Sequence, residues 1–157
     1  MFKKIMLAVD GPENSGRAIE LALRLAAVNR AELNILHVAS LGVPMIPPIG
    51  FGPPLLLPPV YFEAERERNR RQSRWLARLV EIAEKRGVRA TMDIIEASDS
   101  IAEEVTRRAS EEEVDLVVVG SNEVGGLERL IRGSVSGSVT QKADCPVLVV
   151  RGTRAGA

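Results

Sequence analysis

The sequence predicts a single doubly wound α/β domain, with a five-stranded parallel sheet of order 3-2-1-4-5 and helices on both faces. Three observations predict it. Short apolar runs rich in Val, Ile and Leu recur along the chain, and segments with helical periodicity separate them. Strands that alternate with helices pair in parallel through right-handed crossovers, which lay helices on both faces. The chain has 157 residues, a length that suits one domain, residues 1–157, burying roughly 70% of its unfolded surface.

Ile5–Val9 reads as the first strand, and Asn14 or Ser15 can cap a helix carrying Ile19, Ala22, Leu23 and Ala26. Leu33–Val38 reads as the second strand. Residues Leu41–Phe62 form an insertion with seven of the nine prolines, together with Phe51, Tyr61 and Phe62. Proline removes backbone donors, so this stretch adds no regular strand. A long helix is expected from about Phe62 to Arg86, with Trp75, Leu76, Leu79, Val80, Ile82 and Ala83 as its apolar stripe and Gly87 as its stop. In its first turns Glu63–Arg66 and Glu67–Arg70 fall three apart and Glu67–Arg71 four apart, the pattern of a self-paired, solvated face. Arg89–Glu96 is the third strand, and Ser98 or Ser100 starts a helix with Ile101, Val105 and Ala109. Leu116–Val119, Ser134–Ala143 and Val147–Val150 complete the pattern as strand, helix and strand.

Lys and Arg number 21, as do Asp and Glu, so no general cationic field exists to attract nucleic acid. Nor do aromatics interleave with basic residues as a single-strand-binding face requires. The single cysteine excludes an internal disulfide and fits a reducing cytosol. The first apolar run ends at Asp10, too soon for a signal or a membrane span. A cytoplasmic domain that binds neither nucleic acid nor membrane is expected.

In an open sheet, ligands sit beyond the carboxyl ends of the strands where the strand order reverses, here between the first and fourth strands. Asp10 ends the first of these and Gly120 the fourth. Gly120–Thr140 reads GSNEVGGLERLIRGSVSGSVT. Glycines let main-chain N–H groups approach an anion closely, and the start of a helix adds unpaired donors and a favourable dipole. Familiar enzyme motifs are absent. The P-loop spacing from Gly120 to Gly125 puts Gly126 where lysine is required. The run Gly133–Gly137 puts Val135 where a nucleophile elbow needs serine. No nucleophile is paired with a base, so no enzyme is expected, slow nucleotide hydrolysis aside. His37 reads as strand-end packing, and Cys145, before Pro146, as a small buried side chain.

Several segments, in this order, resemble the universal stress protein family along nearly the whole chain: Ile5-Met-Leu-Ala-Val-Asp-Gly11, Leu36-His-Val38, Val117-Val-Val-Gly-Ser121, Gly133-Ser-Val-Ser136 and Cys145-Pro-Val-Leu-Val-Val150. The resemblance implies a five-stranded parallel sheet, frequent homodimers, and two branches, one of which binds ATP. That branch has G-x2-G-x9-G-[ST]; Gly120 and Gly133-Ser134 match it, and Glu123 occupies the middle glycine. By the resemblance, Asp10 contacts ribose or adenine, Ala8 and Val38 wall the base, and Val119 packs beside it. Gly120, Gly133, Ser134, Val135 and Ser136 would surround ribose and phosphates.

Glu123 opposes this site. A carboxylate about 6 Å from a phosphate charge costs on the order of 3 kcal/mol at an effective dielectric near 20, roughly a hundredfold in affinity. Gly125 and Gly126 could supply the close-approach amides instead, or Glu123 could join the phosphates around Mg2+, with Arg129 and Arg132 adding positive charge. Pro12, at a position where the family often has a hydroxyl residue, removes a further donor. Two readings remain: a stress-response regulatory protein holding ATP, with Mg2+, or a nucleotide-free dimeric adaptor whose phosphate site Glu123 impairs. A homodimer through residues 147–150 is expected, because an apolar edge strand needs cover. The insertion at 41–62 is expected to be a lid, a strap or a docking surface for a protein partner.

Overall fold

The computed structural model describes residues 1–12, 15–40, 59–97, 100–121 and 135–151. Within them the chain runs β1 (Lys4–Val9), α1 (Gly16–Asn29), β2 (Glu32–Ser40), α2 (Pro59–Lys85), β3 (Ala90–Ala97), α3 (Ile101–Glu111), β4 (Leu116–Ser121), α4 (Val135–Lys142) and β5 (Val147–Arg151). The strands form one parallel sheet in the order β3-β2-β1-β4-β5, as the alternating pattern predicts.

The period of two along each strand divides the core between the two faces. Ile5, Leu7, Val9, Leu33, Ile35, Leu116 and Val118 pack with Ala18, Ala22, Leu23 and Ala26 of α1 and with Leu76, Leu79 and Ala83 of α2. Met6, Leu36, Val38, Val117 and Val119 pack on the other face with Ala102, Val105 and Ala109 of α3 and Val139 of α4. β1 and β4 are buried on both faces, which is why they read as continuous apolar runs.

Helix ends follow from local chemistry. Ser100 caps α3 by accepting the Glu103 N–H at 3.1 Å. Ser15 holds the N-cap position of α1 without a side-chain capping bond and is buried; Asn14 lies outside the described residues. Gly87 ends α2 at φ 75°, and the Val88 N–H reaches back to the Ala83 carbonyl at 3.0 Å, the closure that a left-handed residue permits. Asp115 fastens the amino ends of β1 and β4 together. Its Oδ2 accepts the Lys3 and Lys4 amides at 2.6 and 2.8 Å, and these backbone bonds hold its carboxyl below the usual carboxylate range.

Four expectations need correction. α2 begins at Pro59, so the last residues of the expected insertion are helical; proline is tolerated in a first turn, where its missing N–H has no intrahelical partner. Ile82 stands 39% exposed, off the buried line of Leu76, Leu79 and Ala83. Cys145 is half-buried against the α3/α4 side, and this burial pushes its thiol up. Among the described residues only one of the three expected pairs in the first turns of α2 forms, Glu67–Arg71 at 3.8 Å.

Candidate functional site

The strand order reverses at β1: β2 lies on one side of it and β4 on the other, and the chain reaches them through helices on opposite faces. In an open sheet, a reversal of this kind marks the carboxyl ends of β1 and β4 as the place where a ligand is expected. Ala8 pairs with Val119 of β4. Val9 pairs with His37 of β2, so Asp10 and Val38 come one step further along adjacent strands. By the strand alternation Ala8, Asp10, Val38 and Val119 all belong to the α3/α4 face.

Four sequence-predicted residues are thus brought together. Val38 and Val119 are buried, Ala8 is half-buried and Asp10 is exposed. Apolar side chains and one exposed carboxylate thus share the carboxyl end of this face. Gly120 follows Val119 and is half-buried. His37 closes the α1/α2 side. Its Nδ1 lies 2.9 Å from the Val9 carbonyl oxygen, so the Nδ1–H donates and the ring is fixed at the end of β1.

α4 approaches from the same face. Ser136, in its first turn, is 5% exposed and Val135 is 41% exposed. An eight-residue helix is too short to be stable alone, and Val139, fully buried, anchors it. Lys142 reaches Glu103 of α3 and holds that carboxyl below its usual range. Sequence reading missed Val139, although its spacing of three from Ser136 places both on one side of the helix. Glu123, Gly125, Gly126, Arg129, Arg132, Gly133 and Ser134 lie outside the described residues, as does 41–58 of the insertion.

A cavity of about 360 Å3 opens at the other end of the sheet, among Lys4, Glu32, Asn34, Arg89, Thr91 and Glu112. Its charged walls bind one another. Arg89 pairs with Glu32 at 3.0 Å, Lys4 Nζ donates to the Glu112 carbonyl at 2.9 Å, and Asn34 Nδ2 donates to Glu112 at 2.7 Å. It lies at the amino ends of the strands, where an open α/β sheet does not place its ligand.

The model of the Universal stress protein family matches residues 1–151. The chain belongs to this family. The universal stress protein YxiE of Bacillus subtilis is 36% identical over 153 residues, covering 96% of this chain and all of the relative. Among solved structures, a universal stress protein in complex with cAMP superposes with a TM-score of 0.69 at 19% identity, covering 96% of this chain and 97% of its own. A universal stress family protein from Arabidopsis thaliana with AMP bound gives 0.65 at 19% identity, covering 97% and 93%. The parallel sheet of order 3-2-1-4-5 is thus the universal stress protein fold, and some proteins of that fold bind nucleotides. Among the described residues no helix is long and apolar enough to cross a membrane.

Proposed function

We propose that this universal stress protein is a regulatory domain that holds ATP in the crevice between β1 and β4. The observation that carries the reading is the convergence of Ala8, Asp10, Val38 and Val119 on one face at the strand switch. Apolar side chains there suit a purine, and the Asp10 carboxylate suits a hydroxyl or amine donor on the nucleoside. Amides at Gly120, Gly133, Ser134, Val135 and Ser136 would meet the phosphates, aided by the dipole of α4. Among the described residues no three carboxylate, His or Cys side chains converge. Mg2+ would be held by phosphate oxygens and water, with the Glu123 carboxylate as a further oxygen ligand within the same loop. Binding would bias the loop before α4 toward one conformation, which a partner reads.

Calorimetry with MgATP tests this. Saturable binding that weakens about tenfold or more in Asp10→Ala, and is equal or tighter in Glu123→Gly, supports the proposal. Binding absent in the natural chain but present in Glu123→Gly supports the nucleotide-free adaptor. Absence in both overturns the crevice reading.

A homodimer through β5 belongs to the same proposal. β5 is the last strand of the sheet, and Val149 is 37% exposed on it. Pairing with a second copy would satisfy that edge. A single monomeric species at every concentration in sedimentation would refute it.

A further inference from the structure

The outer face of α2 has no role in the crevice. α2 is 27 residues long, about 40 Å, whereas β3, on which it packs, has 8 residues, about 26 Å. Among the described side chains of α2 the buried ones begin at Leu76, and none from Glu63 to Arg74 is buried. The described stretch from Glu63 to Arg74 therefore adds no buried side chain to the core.

Arg66, Arg70, Arg74 and Arg78 recur at intervals of four, and all are exposed. This stripe stands opposite the Leu76, Leu79 and Ala83 line that packs on the sheet. It repeats every 6 Å or so along about 18 Å of helix. None of the four guanidinium groups has an ion pair or hydrogen bond among the described residues. Between Glu67 and Glu81 the helix contains no acidic residue, and Arg71 is engaged by Glu67. Like charges at this spacing repel and destabilise a helix. The cost brings nothing to the fold, because the stripe faces away from the core.

We propose that this stripe is the docking surface for an acidic α-helix of a partner protein. Charge complementarity selects the class. A helix carrying carboxylates four residues apart repeats every 6 Å or so as well, so each guanidinium can meet one carboxylate in register, with two parallel N–H donors apiece. Ser73 and Ala77 flank the stripe on its core side and are half-buried, and Glu67 and Glu81 bound it on the outer face, so it offers no apolar side chain to a lipid layer. The chain's zero net charge and the inward packing of Trp75, half-buried against the α1/α2 core, weigh against a nucleic-acid strand, which needs a basic field and stacking platforms. The inference does not depend on nucleotide binding.

Fluorescence anisotropy with the full chain and a labelled alanine-rich helical peptide bearing glutamate at every fourth position tests it. The expected result is binding about tenfold or more tighter than a peptide of the same composition with shuffled glutamates, lost by a similar factor in Arg70→Gln/Arg74→Gln/Arg78→Gln. The single variant Arg74→Glu should show the same direction while keeping a native circular dichroism spectrum. Equal binding of the two peptides, or binding unchanged in the triple variant, overturns the proposal. So does tighter binding of a single-stranded RNA oligomer or of phosphatidylserine vesicles, either of which would assign the stripe to phosphate.

Discussion

Val139→Ala tests whether α4, and with it the phosphate side of the proposed site, is held by one buried side chain. Val139 is fully buried, and Ser136 is the other buried residue of the helix. Deleting two methyl groups forfeits about 1.6 kcal/mol of transfer free energy. A residual cavity of roughly 50 Å3 adds about 1 kcal/mol, for a total of about 2.5 kcal/mol. For a domain of this size that lowers Tm by about 5–10 °C. Because the loss is local, amide exchange in α4 should accelerate more than exchange in β1 or β4. Urea denaturation and hydrogen-exchange mass spectrometry read the two effects. A loss below about 0.5 kcal/mol, the range of surface substitutions, or uniform acceleration across the sheet would refute the reasoning.

Three further outcomes follow from the helix ends and the Asp115 clamp. Removing the α3 cap with Ser100→Ala should cost about 1 kcal/mol in urea denaturation. Gly87→Ala places a Cβ at a positive φ and should cost about 1 kcal/mol or more, although the space around Gly87 is open; an unchanged midpoint would show that the closure of α2 has relaxed. Asp115 has a depressed folded-state pKa. Its stabilisation is therefore present above the unfolded carboxylate value of about 3.9 and is lost as pH falls through the folded value. Asp115→Asn should melt below the natural chain at neutral pH, with the gap closing in strong acid; a gap independent of pH would remove the carboxylate from the account.

Much of the fold was legible because the physics is local. β1 and β4 announce themselves as apolar runs, since burial on both faces leaves no place for polar alternation. Gly87 and Ser100 mark helix ends through a left-handed turn and a side-chain acceptor. Pro59 was harder, because a proline reads as a breaker unless its place in the first turn is known. Ile82 has the right residue type but lies off the stripe by its angle around the helix. At the crevice, Asp10 was legible from position alone, as the polar residue that ends the first strand. The weight borne by Val139 was not, because it depends on how short α4 is and on which face that helix turns inward. That Arg66 and Arg70 form no ion pair among the described residues could not be read from spacing either, since exposed ion pairs gain too little to fix two long side chains.

The most direct test of the nucleotide crevice is amide chemical-shift mapping during MgATP titration of the isotopically labelled chain. The account predicts shifts concentrated at Ala8–Asp10, Val119–Gly120 and Val135–Ser136, with Lys4, Asn34 and Arg89 unmoved. Shifts clustered instead around the cavity at the amino ends of the strands, or no shifts at saturating nucleotide, would contradict it.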